Sequence, residues 1–209
     1  RGTASATARP PRLSTYAGVG IVRGSDAAEE WAETQQKMGA VLSAFRSGPV
    51  DLAGAANANQ AWATAFVEEL VRCGVTDFVV CPGSRSTPLA AAVVHTIRLP
   101  HNVGVVRAVS VHDERGAAFY ALGTARATGR PAVVITSSGT AVANLYPAVV
   151  EAAADGVPLL LLTADRPYEA RDAGANQSVD QVRAFGPHVR WHRDVPPPSD
   201  DVPVSAALS

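Results

Sequence analysis

At 209 residues and a formal net charge of −1, the chain offers no electrostatic case for nucleic acid, and no basic cluster supplies one locally. Its 47% hydrophobic and 18% charged residues suffice for one globular domain with an appendage. No run is long and apolar enough to cross a bilayer; the best, 157–162, is short and contains Pro158.

Residues 1–12 are rich in Arg, Ser, Thr, Ala and Pro and hold no acid, a composition that fits a transit peptide and a severed linker equally. The first residue is Arg1, so the chain reads as a piece of something longer. Residues 13–45 form a separate unit: 16–22 reads as a strand with tight glycines. Ser25-Asp26 then caps an amphipathic helix carrying Trp31, Met38, Val41, Leu42 and Phe45. One strand and one helix cannot bury a core alone. Small residues mark 48–58 as a linker.

From Gln60 the pattern becomes regular. A helix over 61–73 places Trp62, Phe66, Val67, Leu70 and Val71 on one face and ends at Gly74. A strand (77–81), a turn (82–86), a helix (87–98) and a second strand (103–111) follow. Asp113-Glu114 opens the next helix, which Gly129-Arg130-Pro131 breaks. Then come a strand (132–136), a turn (137–140), one helix (141–154), a strand (157–163) and a turn (164–167). Apolar strands alternating with amphipathic helices predict an α/β domain, a doubly wound parallel sheet, over 59–194. The proline-rich stretch 195–209 reads as a linker to a missing domain. Cys73 and Cys81 lack metal-ligand spacing and read as buried free thiols of an intracellular protein.

Ligands of an open parallel sheet bind beyond the carboxyl ends of its strands. The turns named above all leave strand ends, which collects Ser84, Arg85, Glu114, Ser138, Gly139, Thr140 and Arg166 along one edge. Each has a plain structural alternative. Glu114 suits a helix N-terminus because the macrodipole is positive there. The 82–86 segment fits a tight turn with a serine cap, and 137–140 is too short for a P-loop and has no lysine after it. Arg166 could pair with Asp165, and Gln177 could be a solvated loop residue. His95 and His112 read as structural or surface residues. No Ser-His-Asp or metal-site pattern is present, so no metal ligand is assigned.

Five segments occur in order at telling separations: Pro82-Gly83-Ser84-Arg85-Ser86-Thr87-Pro88-Leu89, Asp113-Glu114-Arg115-Gly116-Ala117-Ala118, residues 136–143, Leu162-Thr163-Ala164-Asp165-Arg166-Pro167 and Gly174-Ala175-Asn176-Gln177. As a set they closely resemble the pyrimidine-binding domain of the 2-succinyl-5-enolpyruvyl-6-hydroxy-3-cyclohexene-1-carboxylate synthase (MenD) family, thiamine diphosphate transferases of menaquinone and phylloquinone synthesis. Two departures are Tyr168, where the family usually has a second proline, and Ala173, where a cysteine is common. The resemblance implies that Glu114, held away from water, hydrogen-bonds N1′ of the cofactor's aminopyrimidine and promotes the tautomer that takes the C2 proton. Pro82, Gly83, Ser138, Gly139 and Thr140 would line the pyrimidine pocket with it. Ser84, Arg85, Arg166, Asn176 and Gln177 would face the substrates, 2-oxoglutarate and isochorismate, whose carboxylates suit guanidinium forks. The family reaction decarboxylates the first and adds the product to the second.

Diphosphate and Mg²⁺ are held in the family by a separate domain with a Gly-Asp-Gly…Asn motif, which this chain lacks, and sites form between subunits. The resemblance therefore implies a homo-oligomer when intact, and a chain that alone is inert and binds thiamine diphosphate poorly. Residues 16–22, Gly24-Ser25-Asp26 and 30–37 are in turn similar to the extreme C-terminus of isochorismate synthase. There Glu33 would fall at a magnesium-ligand position, with Lys37, the only lysine, one helical turn on. No isochorismate synthase activity is expected of so short a remnant, assigned to 1–47. The two resemblances together match the multifunctional phylloquinone-synthesis proteins of plants and algae, which implies a plastid location, or the cytoplasm in another host. Other readings are a docking domain that keeps the fold without the chemistry, and an acetolactate synthase relative. The polycarboxylate-suited set Ser84-Arg85, Asp165-Arg166 and Asn176-Gln177 argues against the latter. A dinucleotide domain is disfavoured because no Gly-x-Gly-x-x-Gly follows the first strand.

Overall fold

The computed structural model describes residue 55 and residues 57–199. The expected strand at 16–22, the helix after Ser25, nearly all of the 48–58 linker and the tail from 200 onward lie outside the described residues.

Four parallel strands, β1 (Asp77–Val80), β2 (Arg107–Ser110), β3 (Ala132–Thr136) and β4 (Leu159–Thr163), form one sheet in the order β2-β1-β3-β4. Helix α1 (Ala58–Arg72) precedes the sheet, α2 (Thr87–Arg98) joins β1 to β2, and α3 (Glu114–Thr128) joins β2 to β3. The β3–β4 connection carries α4 (Thr140–Ala143) and α5 (Tyr146–Asp155). The chain steps from β1 to one side, then crosses back over β1 to build outward on the other. Because parallel crossovers are right-handed, that reversal puts α2 on one face and α3 to α5 on the opposite face.

Side-chain alternation shows both faces covered. Phe78, Val133 and Ile135 pack with Ala63, Val67, Ala92 and Val93 of α1 and α2. Val79, Ala132 and Val134 pack with Ala117, Ala121, Ala125, Ala148 and Val149 of α3 and α5. Strand β3 is buried throughout, as its unbroken apolar run demands. The doubly wound sheet is therefore as expected.

Three elements differ from the sequence reading. The strand predicted at 103–111 shrinks to Arg107–Ser110, whose four residues are all exposed on the sheet edge. Buried Asn102 takes the valines that follow it into a turn: its amide donates to Thr96 O at 3.0 Å, and its backbone carbonyl accepts from Val105 and Val106 N at 3.0 Å each. The helix predicted over 141–154 breaks at Asn144-Leu145, because Pro147 has no N–H to return to the preceding turn. The last strand starts two residues late, after Pro158, with Val157 N bonded back to Ala152 O at 2.9 Å. Both cysteines are free, but Cys73 is exposed rather than buried; it caps α1 and lies outside the core.

Candidate functional site at the carboxyl edge of the sheet

The direction of winding reverses between β1 and β3, so the loops that leave these two strands diverge and open a crevice. Those loops are Cys81 to Ser86 and Ser137 to Gly139, and they meet at Gly83. A Cβ on Gly83 would stand 2.5 Å from Ser137 Cβ and 2.8 Å from its Oγ. Gly83 has φ −170°, ordinary extended backbone, so the requirement there is for space alone. The β1 loop is held by Ser86, whose Oγ donates to Gly83 O at 3.0 Å and Cys81 O at 3.3 Å. Ser86 thus bonds backward into the turn and does not cap α2, contrary to the serine-cap alternative.

Glu114 is the first residue of α3, and the capping alternative falls to its neighbour. Asp113 Oδ1 accepts from Gly116 N at 2.7 Å. This leaves the Glu114 carboxylate free for other partners, and Asn144 Nδ2 donates to its Oε2 at 3.1 Å. Asn144 stands at the break between α4 and α5, so that interruption carries a side chain toward the candidate acid. Buried Cys81, one residue past β1, is within the electrostatic reach of the same group. Desolvation first, then the charges of Glu114 and Asp113, push its thiol up to about 11. The shielding expected of Glu114 is incomplete among the described residues, where it is half-buried.

The arginine side is built by the segment after β4. Arg166 does not pair with Asp165: the Asp165 carboxylate accepts from the Arg166 backbone N at 2.7 Å and meets Arg171 at 3.2 Å. The Arg166 guanidinium instead donates to Asn176, to its carbonyl at 2.7 Å and to its side-chain oxygen. Its buried Nε has no hydrogen-bond partner among the described residues. Arg85 Nη1 donates to Gln177 Oε1 at 3.1 Å. Two guanidiniums are thus held on consecutive residues, and neither has a carboxylate partner among the described residues.

Gln177 is exposed, yet far from a free loop residue. Its φ is +54°, its Nε2 donates to Ser137 Oγ and Ser138 O at 3.1 Å each, and its carbonyl accepts from Ser138 Oγ at 2.7 Å. Gly139 fits beneath it with φ +81°, and a Cβ there would meet Gln177 atoms at 3.0 to 3.2 Å. Ser84, Pro82 and Thr140 are exposed along the same loops, without side-chain bonds to fix them among the described residues. Sequence reasoning missed Ser137, Asn144, Arg171 and Gln181. The break before Pro147 was a usable signal for Asn144; the others had none beyond their place near assigned residues.

Arg171 ties this loop to the outgoing chain. Its Nε donates to Arg166 O at 3.0 Å, its Nη atoms bind Asp194 at 2.7 and 3.1 Å, and its guanidinium lies 4.6 Å over the Tyr168 ring. The hydrogen bonds from Arg171 hold the Asp194 carboxyl below its ordinary range. A carboxyl depressed in the folded state stabilises it above the unfolded pKa, and that contribution disappears as pH falls through the folded value. Asp194→Asn is therefore expected to cost about 1 kcal/mol at pH 7, or about 2–4 °C in Tm. The gap between variant and parent narrows as pH falls from the ordinary carboxylate range through the lower folded value; a gap that does not narrow on acidification would show that this pair is not responsible.

Among the described residues no group of three or more His, Cys, Asp or Glu side chains could hold a metal ion, and no helix is long and apolar enough to cross a membrane.

A parallel sheet covered on both faces, with glycine-tight loops at the winding reversal, defines a doubly wound α/β domain. Residues 60–184 match the thiamine pyrophosphate enzyme, N-terminal TPP binding domain, and the chain belongs to that family. Residues 2–46 match a second family, the chorismate binding enzymes. Among curated proteins, the 2-succinyl-5-enolpyruvyl-6-hydroxy-3-cyclohexene-1-carboxylate synthase of Salinibacter ruber is 57% identical over 74% of this chain and 25% of its own length. The synthase of the same name from Rubrobacter xylanophilus is 56% identical over 75% of this chain and 26% of its own. Protein PHYLLO, chloroplastic, from Arabidopsis thaliana is 50% identical over 74% of this chain and 9% of its own length. The chain thus spans about a quarter of the bacterial synthases it matches.

Proposed function

We propose that this chain is the pyrimidine-binding part of a thiamine diphosphate-dependent carboligase that decarboxylates 2-oxoglutarate and adds the product to isochorismate. The observation that carries the reading is the pair of guanidiniums, Arg85 and Arg166, free of carboxylate partners among the described residues and held on consecutive residues Asn176 and Gln177. They stand at the same sheet edge as Glu114. Cations kept from internal acids, with one buried Nε still unpartnered, suit a substrate that brings its own carboxylates.

The donor set fits the aminopyrimidine of thiamine diphosphate: a half-buried carboxylate released from capping duty supplies the partner a ring nitrogen requires. When bound, that cofactor supplies the carbanion chemistry. Glu114 holds and shares a proton at N1′; Pro82, Gly83, Ser138, Gly139 and Thr140 shape the pocket around the ring; Ser84, Arg85, Arg166, Asn176 and Gln177 orient the anionic substrates. Mg²⁺ and the diphosphate are held by a domain outside this chain, and the working enzyme is a homo-oligomer. The chloroplastic relative supports a plastid location in a plant or alga, and the bacterial relatives support the cytoplasm otherwise.

The test is turnover by the full-length protein with thiamine diphosphate, Mg²⁺, 2-oxoglutarate and isochorismate. Release of CO₂ is expected to depend on 2-oxoglutarate, with isochorismate consumed in equal amount. Arg85→Ala is expected to raise the KM for a carboxylate substrate by about 10- to 100-fold, with cofactor affinity unchanged. Turnover of pyruvate in preference to 2-oxoglutarate would sink the substrate assignment.

A further inference from the structure

We propose that Gln181 is a positioning residue that locks the loop leaving β3 to the chain leaving β4, and so keeps the cofactor side of the site in register with its arginine side. The inference rests on the reading of the site given above. Gln181 is 8% exposed, and both ends of its carboxamide are used. Its Oε1 accepts from Gly139 N at 2.8 Å, and its Nε2 donates to Ala164 O at 3.0 Å. Reversing the amide would set its NH₂ against an N–H and its oxygen against a carbonyl, so the two partners fix its orientation.

Each partner needs this bond. Gly139 precedes α4 in a left-handed conformation, so its buried N–H has no helical carbonyl to reach. Ala164 continues the sheet ladder through its N, bonded to Thr136 O at 3.0 Å, while its carbonyl points to Gln181. Thr140 of the pocket lies one residue past the first partner, and Arg166 lies two past the second. Gln177, four residues earlier, clasps Ser137 and Ser138 from the same segment. The segment therefore joins cofactor loop to substrate loop, and Gln181 is its buried fastening.

Only a carboxamide satisfies both loops, which separates the variants. Glu keeps the acceptor for Gly139 but presents a carboxylate oxygen to the Ala164 carbonyl; Met keeps the shape and loses both bonds. In the full-length protein, Gln181→Glu is expected to raise the KM for 2-oxoglutarate about tenfold while the apparent Kd for thiamine diphosphate stays within about twofold. Gln181→Met is expected to raise both by about tenfold. A general loss of stability would move the two constants together in both variants. Hydrogen exchange at the Gly139 amide reads the link with no ligand present: faster in Gln181→Met, near parental in Gln181→Glu. The proposal fails if Gln181→Met leaves that exchange rate and both constants within twofold of the parent, or if Gln181→Glu shifts both constants equally. Should Gln181→Glu fail to fold, Gln181→Met and the exchange rate decide. A parent protein that neither binds thiamine diphosphate nor consumes 2-oxoglutarate overturns the reading of the site instead, and Gly139 exchange still judges the fastening.

Discussion

Glu114→Gln in the full-length protein is expected to lower turnover by a factor on the order of 10² to 10⁴ while leaving the fold in place. The separation of the two effects follows from the division of labour at the start of α3. Asp113 is the residue that caps the helix, through Gly116 N, so replacing Glu114 removes no cap. Glutamine has the same shape and still accepts from Asn144. The lost charge near the positive end of the helix dipole is worth about 0.3–1 kcal/mol, a small shift in melting temperature. Asp113→Ala should behave in the opposite way. It costs about 1 kcal/mol of stability through the lost cap, with much less effect on the chemistry. Asn144→Ala falls between: the helices are already broken at that point, so the fold loses little, while Glu114 loses the donor that orients it. Steady-state kinetics beside thermal unfolding of the three variants separates the roles. Turnover of Glu114→Gln within threefold of the parent would remove Glu114 from its proposed position.

The same division of labour shows how far the sequence could be read. Continuous apolar runs alternating with amphipathic helices placed β1, β3 and the helices on both faces of the sheet, because packing against a doubly covered sheet leaves a plain apolar record in Phe78 to Val80 and Ala132 to Thr136. Valine-rich composition misled at 103–106, where one buried asparagine outweighs β propensity by satisfying three backbone groups. Along the site, position was legible and bonding was not. Glu114, Arg85 and Arg166 could be gathered at one edge from topology alone, whereas Gln177 came to the site only through the family resemblance. That Asp165 would turn to Arg171, and Arg166 to Asn176, depends on loop conformations such as the left-handed Gln177, which leave no periodic trace. Gln181 is the extreme case: a second glutamine in the loop after Gln177, buried where two strands' loops converge on it.

Gly83→Ala is expected to have the second large effect, for reasons of space. One methyl group at this position would sit 2.5 Å from Ser137 Cβ, far inside contact distance, and neither loop can yield independently. The β1 loop is pinned by Ser86 and Thr87 to Gly83 O itself, and the β3 loop by Gln177 to Ser137 and Ser138. Relief requires the loops to part by about 1 Å, at a cost of roughly 1–3 kcal/mol in stability. The effect on turnover should be larger than stability alone suggests, about 10²-fold, because that displacement would separate Arg85 from the pocket loop. Removing the obstacle should reverse it. Ser137→Gly takes away both the Cβ and the Oγ that the new methyl meets, at the price of the Gln177 bond to Ser137 Oγ. The double variant Gly83→Ala/Ser137→Gly is therefore expected to recover at least tenfold in kcat/KM over Gly83→Ala, a coupling of about 1.4 kcal/mol in the double-mutant cycle. Additive losses in that cycle would mean that the two loops do not touch in solution, and the crevice at the winding reversal would need another floor.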